Sequence, residues 1–464
     1  MAAEAKFLTG STLGHVIRMT MTGATGITFV FIVDAANLFW ISQLGDPALV
    51  AAIGYAFAIQ FFSVSIGVGM MIAATAMVSR QIGQGNTSLS RQTATASMIL
   101  AALVQALVAA IVIYWRRELL GLAGASGETL ALAARYLALS LPSLPIMALG
   151  LIASAALRAA GDGKRAMFVT LSSGGVAVLM DPVLIFWLEL GLDGAAASLF
   201  LFRIILALVA LRFAIGTHDL LARPSMAAFL ATLAPFTWIA APAIATQMAT
   251  PFGNFVVTSV ISEFGDDAVA GWAVVNRLTV VAFGGIFALA GAIGGIFGQN
   301  FGAGQLDRVR STYRDALLFV LLYCTLAWAI LFAATQPVAQ AFGLRGAGYD
   351  VLVAYTQIGA GAFIFTGTLF VASAAFNTLG RPGRATLMSW LRDGVLIWPV
   401  ATWMAGVWAA QGVIYAQALV GAIAGVLAAW WGWTFVRTLS PLAPETLDLT
   451  TRRGYRDPNR YRRR

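Results

Sequence analysis

The sequence is poor in charge, in cysteine and in histidine. Only 11% of its 464 residues are Asp, Glu, Lys or Arg, whereas soluble domains carry about 25%. A single cysteine, Cys324, excludes a disulfide within one chain. His15 and His218 are isolated near predicted helix ends, so we expect no metal site. No GxxxxGK[ST] segment is present, which argues against ATP hydrolysis. We therefore expect neither an enzyme nor a cofactor, and no nucleic-acid partner.

Long apolar stretches make up most of the chain. Hydrophobic residues are 59% of the sequence, and its mean hydropathy is +0.83. Apolar runs of about 20 residues recur, each long enough to cross a hydrocarbon core of about 30 Å. We predict an all-α polytopic membrane protein with twelve transmembrane helices, at residues 19–43, 48–78, 93–115, 128–156, 166–188, 193–215, 229–262, 268–297, 315–336, 350–376, 385–408 and 411–437.

The charges of the loops predict the orientation in the membrane. An even number of spans places both termini on one side, and the loops on that side carry most Arg and Lys, for example Arg158, Lys164 and Arg165. The opposite loops are mainly acidic, and their basic residues are Arg116, Arg117 and Arg345. Because cytoplasmic loops are enriched in Lys and Arg, we expect both termini in the cytoplasm and the chain in a bacterial inner membrane.

Three short signatures occur twice, at a spacing of 219 or 220 residues. The pairs are LGDPAL (44–49) with FGDDAV (264–269), QIGQGN (81–86) with NFGAGQ (300–305), and ALRAAGDGKRA (156–166) with AFNTLGRPGRA (375–385). Three matches at one spacing indicate an internal repeat. We predict two six-helix lobes in the same orientation, related by an axis along the membrane normal, as some transporters have.

The repeat sets the predicted domain limits. The N-lobe comprises residues 1–222, the C-lobe residues 223–438, and a basic cytoplasmic tail residues 439–464. The tail either lies against anionic lipid head groups or is a solvated segment that serves topology alone. We expect the protein to be a monomer in the lipid bilayer.

Asp34 and Asp181 are candidates for a coupling site because a charge deep in a membrane helix is costly unless it has a function or a partner. Each lies about 15 residues from the cytoplasmic end of its span, or about 22 Å, so the two are at similar depth. Asn37 is one turn from Asp34, and Pro182 allows a bend beside Asp181. Two close carboxylates in a low dielectric cannot both stay ionised. The pair would bind a proton or a small cation, unless each Asp is merely structural.

The second half of the repeat differs at these positions. Asn254 corresponds to Asp34 and Val400 to Asp181, so we expect ion coupling in the N-lobe alone. The predicted seventh helix instead offers neutral surface suited to a bulky lipophilic substrate, although each residue could equally serve helix packing. The candidate cavity residues are Gln247, Met248, Thr250, Phe252 and Asn254.

These motifs together resemble the multidrug and toxic compound extrusion (MATE) family. The resemblance rests on VD followed by LGDPALVAAIG, the GQG loop, LRAAGDGKRAM before LMDPVLIF, VVNRL, GQNFGAG and FNTLGRPGRA, in order from residue 27 to residue 433. It implies two six-helix lobes around a V-shaped cavity, and antiport of lipophilic or cationic compounds against H+ or Na+.

The resemblance also implies roles for single residues. Asp34 matches the family's first-helix acid and Asp181 the acid of its fifth-helix Asp-Pro, while Tyr136 and Ser198 lie where the family has supporting hydroxyls. Na+-binding members carry an Asn where this chain has Ala177. Another branch has acids on the seventh and tenth helices; this chain has Thr250 on the seventh and no acid on the tenth. We therefore favour H+ at Asp34 and Asp181, with Na+ as the alternative.

Other functions are conceivable from the same residues. A lipid-linked precursor or metabolite flippase of this fold would favour a large cationic cavity, and few central Arg or Lys residues are evident. An aspartyl intramembrane protease usually has a GxGD motif, which FIVDA and LMDPV lack. An ion channel would need a pore loop or a charged ring. The sequence therefore favours a proton-coupled multidrug antiporter.

Overall fold

The computed structural model describes residues 5–441, and within them every regular element is a helix. Eleven of these helices are long and apolar enough to cross a membrane. They are α1 Thr12–Ser42, α2 Pro47–Gly83, α3 Thr87–Tyr114, α4 Gly127–Ala159, α5 Gly163–Trp187, α6 Gly191–Gly216, α7 Met226–Ser262, α8 Asp266–Gly302, α9 Leu306–Ala333, α10 Gly346–Leu379 and α11 Pro382–Arg437. The predicted tail falls largely on residues 442–464, which lie outside the described residues.

The last helix contains two of the predicted spans. At 56 residues α11 is far longer than one crossing needs. Its helical geometry breaks at Trp408 and Ala409, where Ala409 has φ +51°. The two arms therefore cross separately, which confirms the prediction of twelve transmembrane helices. The largest boundary difference is at α9, which begins at Leu306 rather than 315 because its first turns are basic.

The repeat is visible in the positions of the helices. Two short helices follow the third span of each lobe, Arg116–Leu122 after α3 and Thr335–Ala341 after α9. They begin 219 residues apart, the same spacing as the sequence signatures. Two hydrophobic cores correspond to the two lobes, one formed mainly by α2 to α6 and the other mainly by α8 to α11. The described chain thus confirms the two-lobe repeat, whereas the limit at residue 222 stays a prediction.

The lobes meet on the side where the described chain begins and ends, which we call the terminal side. Arg80 of α2 donates from Nε to the carbonyl of Thr378 at 2.6 Å. Gln299 of α8 donates from Nε2 to the carbonyl of Ala159, also at 2.6 Å. Arg80 and Gln299 are equivalent in the repeat, and so are Ala159 and Thr378. Each lobe therefore closes on the last turn of a helix in the other lobe by the same contact.

Glycines permit the close approach of the two lobes at this seal. A Cβ on Gly83 would lie 2.1 Å from the carbonyl oxygen of Gln299, and one on Gly302 would lie 2.1 Å from that of Arg80. The α1 and α8 backbones also meet closely, at Gly23 against Ala288. The hydrogen bonds between the lobes in the described chain lie on the terminal side. The structure is therefore closed on the terminal side.

Candidate functional site

Asp181 joins α5 to α1 inside the N-lobe. Its carboxylate is 1% exposed, and Asn37 of α1 donates to Oδ1 from Nδ2 at 3.1 Å. Ser198 of α6 lies beside the same carboxylate, and its hydroxyl donates to the carbonyl of Ala177 at 3.4 Å. The other oxygen, Oδ2, is buried without a hydrogen-bond partner in the described chain. A buried carboxylate oxygen without a donor is unfavourable while ionised, so this oxygen is a natural acceptor for a proton or a cation.

Asp34 lies one turn before Asn37 on the same helix and is exposed. Its carboxylate makes no hydrogen bond or ion pair with any described residue. The charges of Arg277 on α8 and Arg203 on α6 act on it across the intervening space. Asn37 therefore places Asp34 near Asp181, one carboxylate exposed and the other buried.

Arg203 is a large buried cation at the centre of the N-lobe. It is 2% exposed and donates from Nη1 to the Ser140 carbonyl at 2.9 Å and to Ser143 Oγ at 2.8 Å, and from Nη2 to Gln60 Oε1 at 3.2 Å. A short 3-10 turn, Leu141–Ser143, frees this carbonyl within α4. Since all three acceptors are neutral, the charge of Arg203 is not cancelled by a direct ion pair.

Tyr136 belongs to the same region as Arg203 and the two carboxylates. It is buried on α4, within electrostatic range of Arg203, Asp34 and Asp181. The structure thus places all five predicted N-lobe residues around one region and adds Arg203 to them. The sequence analysis did not single out Arg203, which lies in the middle of α6. That central position was the signal in the sequence.

The C-lobe contains a buried ion pair that the sequence analysis also missed. Arg392 and Asp393 are 8% and 9% exposed and form a bidentate pair, Nε to Oδ1 and Nη2 to Oδ2, both at 2.7 Å. A π-helical turn, Leu391–Leu396, carries them. The sequence analysis named only neutral candidate residues in the C-lobe, and the structure adds this charged pair.

A cavity of about 170 Å³ lies beside this pair in the C-lobe. Thr250 and Asn254, two of the predicted substrate residues, line it, whereas Gln247, Met248 and Phe252 do not. Phe252 instead packs on Trp390, with ring centroids 5.5 Å apart. The cavity also offers amide, hydroxyl and aromatic groups, from Asn276, Thr279, Tyr355, Phe363 and Gln417. Its mixed lining suits a small compound with both aromatic and polar parts.

Comparison with known sequences gives a consistent family. The MatE family model matches residues 24–183 and 242–403, one segment in each lobe. A curated relative, the FAD transporter of Shewanella oneidensis, is 26% identical over 427 residues, covering 90% of this chain and 94% of the relative. Multidrug export protein MepA of Staphylococcus aureus is 22% identical over 400 residues, covering 84% and 87%.

Solved structures show the same fold. The MATE transporter VcmN of Vibrio cholerae in its bent form has a TM-score of 0.84 at 25% identity, covering 92% of this chain and 97% of that one. A MOP superfamily transporter from Pyrococcus furiosus has a TM-score of 0.86 at 19% identity, covering 94% and 98%. With a family match that spans both lobes, this chain belongs to the MATE family and is a membrane transporter, not an enzyme.

Proposed function

We propose that the protein is an H+-coupled antiporter that exports lipophilic or cationic small molecules across a bacterial inner membrane by alternating access. The observation that carries this proposal is the buried Oδ2 of Asp181, which has no donor in the described chain, beside Asn37 on the helix that bears Asp34. A proton on Asp181 would satisfy this oxygen. The relative named a multidrug export protein supports the direction and type of transport.

The proposed cycle links the proton to the position of α1. The Asn37 side chain donates to Asp181 and so joins α1 to α5. Protonation of Asp181 changes the hydrogen bonds that its two carboxyl oxygens can make. It therefore changes which arrangement of α1 is most stable. Because α1 also packs on α8 of the other lobe, a shift of α1 reaches the interface between the lobes. A proton can bias the two access states only through such a difference between them.

The ligand atoms favour H+ over Na+. A sodium ion needs several oxygen ligands, and this chain has Ala177 rather than an amide residue one turn before Asp181. The backbone carbonyl of Ala177 already accepts from Ser198. A proton adds no ligand requirement beyond the carboxylate itself.

Export of an anionic metabolite is the second candidate. Its support is the guanidinium of Arg392 at the C-lobe cavity, together with the amides of Asn276 and Gln417. Asp393 uses Nε and Nη2 of this guanidinium, while Nη1 has no partner in the described chain. The relative named an FAD transporter is consistent with a substrate that carries aromatic and anionic groups.

Reconstitution with separate gradients tests the coupling. The wild-type protein in proteoliposomes should transport a fluorescent lipophilic cation when ΔpH is imposed and not when ΔNa+ is imposed. Asp181→Asn should lower ΔpH-driven transport at least tenfold, because an amide cannot exchange the proton, and Asp34→Asn should do the same. Gln105→Ala, which changes an internal hydrogen bond of the N-lobe, is the control. Transport driven by ΔNa+ alone, or full activity in both Asp variants, would refute H+ coupling at this site.

A further inference from the structure

A second cavity, of about 590 Å³, lies on the terminal side of the N-lobe, far from the Asp34 and Asp181 region. We call it the basic cavity. It is formed by the segment before α1, the first turns of α1, the turn between α4 and α5, and the end of α6. Its lining includes Lys6, Arg18, Lys164 and Arg165, and one acid, Asp162.

The single acid of the basic cavity is already neutralised. Asp162 accepts from the Arg165 backbone N–H at 3.1 Å, from the Arg165 guanidinium, and from His218 Nε2 at 2.7 Å. These donors hold the pKa of Asp162 at about 2, against 3.8 ordinarily, despite its burial. Lys6, Arg18 and Lys164 form no ion pair with any described residue. Three exposed cations thus face one cavity without an acidic partner among residues 5–441.

The other side chains of the lining are those of His15 and Thr22 and four apolar residues. The apolar residues are Phe7, Met19, Phe168 and Phe213. Phe168 is 57% exposed on the outer surface of α5, a position that faces the bilayer in a membrane helix. The cavity therefore presents cations at the membrane surface level and an apolar opening toward the lipid. This order of groups matches an anionic phospholipid, whose phosphate lies above its acyl chains.

The fold holds the wall of the cavity in place. Lys6 and Phe7 pack on Gly161, where a Cβ would lie 3.2 Å from both side chains and where φ is +79°. The Phe7 N–H donates to Gln299 Oε1 at 2.9 Å, and Arg308 donates to the Phe7 carbonyl at 2.7 Å. The C-lobe thus fixes a segment that lines an N-lobe cavity, so the cavity is complete when the lobes are closed on the terminal side.

We propose that the basic cavity binds the head group of an anionic phospholipid from the adjoining leaflet. Basic pockets between membrane helices are known to bind such head groups. The phosphate is recognised by Lys6, Arg18 and Lys164, and the acyl chains leave past Phe168. A phosphate that is not part of a lipid has the same charge but makes no use of the apolar opening.

Native mass spectrometry of the full-length protein with added lipid tests the proposal. Phosphatidylglycerol should bind at least tenfold more tightly than phosphatidylcholine. Lys6→Gln/Arg18→Gln/Lys164→Gln should lose at least tenfold in phosphatidylglycerol affinity. The matched control, Arg212→Gln/Arg223→Gln/Arg314→Gln, removes the same charge from the terminal side outside the basic cavity and should leave affinity unchanged. Equal loss in both triple variants, or no loss in the first, would overturn the assigned site.

A second variant separates a lipid from a free phosphate. Phe168→Ser should weaken phosphatidylglycerol binding severalfold, because the acyl chains lose an apolar contact, and should leave binding of soluble glycerol phosphate unchanged. Soluble glycerol phosphate should compete with the lipid only at far higher concentration. Competition at equal concentration, with no effect of Phe168→Ser, would show a soluble phosphate site and overturn the lipid assignment.

Discussion

The same helix crossing is built in opposite ways in the two lobes. In the N-lobe, Gly174 of α5 lets α1 approach, since a Cβ there would lie 2.8 Å from Val33 Cγ2. In the C-lobe, the small and the large side chain have exchanged helices. Gly253 on α7 faces Asp393 on α11, and a Cβ on Gly253 would lie 2.8 Å from the Cβ of Asp393. The glycine is thus on the fifth helix of the N-lobe, α5, but on the first helix of the C-lobe, α7. The C-lobe uses the space to bury a carboxylate.

As a result, Asp393 of the C-lobe and Asp181 of the N-lobe differ in their depth in the helix and in their hydrogen bonding. Asp393 corresponds to Gly174, seven residues nearer the terminal side than Asp181, or about 10 Å along a helix. Its two oxygens are both engaged by Arg392, whereas Asp181 has one oxygen without a donor in the described chain. A paired carboxylate keeps its charge, and an incompletely bonded one is free to bind a proton. The contrast predicts that Asp393 stabilises the fold of the C-lobe and that Asp181 couples transport to a proton.

The largest expected effect on stability comes from breaking the Arg392–Asp393 pair of the C-lobe. Removing one partner leaves an uncompensated buried charge, so Arg392→Gln or Asp393→Asn alone should lower the free energy of unfolding by about 3–5 kcal/mol. Asp181→Asn should change it far less, because an amide can still accept from Asn37 and adds a donor. Thermal unfolding in detergent, followed by tryptophan fluorescence, measures both.

The double variant sharpens this comparison. Arg392→Met/Asp393→Asn removes both charges and should be more stable than either single variant. A double variant as unstable as the worse single one would mean that packing at Gly253, rather than charge, governs the site. Equal instability of Asp181→Asn and Asp393→Asn would remove the distinction between the lobes.

The sequence predicted the helices better than it predicted the buried charges. Apolar length and the 219-residue repeat locate the spans because each span must satisfy its own backbone in lipid. Asp34 and Asp181 were found because each lies alone in an apolar run. Arg203 and the Arg392–Asp393 pair were missed because their stabilisation comes from other helices or from a π-helical turn. Neither the freed carbonyl of Ser140 nor that turn can be recognised in the order of residues alone.

The next comparison is between the two equivalent hydrogen bonds that close the lobes on the terminal side. A hydrogen bond from a charged group contributes about 1.5–3 kcal/mol to stability. Arg80→Ala removes the bond to Thr378 and should favour opening on the terminal side about tenfold. Arg80→Gln should retain most of the seal, because Gln299 makes the equivalent bond to Ala159 at 2.6 Å. Ile82→Cys, buried in α2 beside the seal, reports opening by its rate of maleimide labelling once the buried Cys324 is replaced by Ser.

Gln299→Ala tests the other half of the same seal. It removes the bonds to Ala159 and to the Phe7 N–H and should raise the labelling rate as Arg80→Ala does. Gln105→Ala, which loses a comparable bond to a carbonyl within one lobe, should not. If Arg80→Gln labels as fast as Arg80→Ala, the charge itself is needed and the two lobes do not close by equivalent contacts.

The smallest expected effect concerns how the helices begin in each lobe. Asp162 caps α5, and its bond to the Arg165 N–H is reinforced by the Arg165 and His218 side chains. Asn86 likewise caps α3, with Oδ1 3.0 Å from the Leu89 nitrogen, whereas its C-lobe equivalent Gln305 makes no side-chain cap on α9. Asp162→Ala should therefore lower stability by about 1–2 kcal/mol, and Gln305→Ala should change it little.

The pH dependence of the Asp162 effect follows from its lowered pKa. Because the folded value is about 2 and the ordinary value 3.8, the charged form stabilises the fold at every pH above about 4, and that contribution is lost as the pH falls from about 4 toward 2. The melting difference between wild type and Asp162→Ala should thus be constant from pH 5 to 8 and shrink only below pH 4. A difference that disappears between pH 6 and 7 would contradict Asp162 as the titrating group.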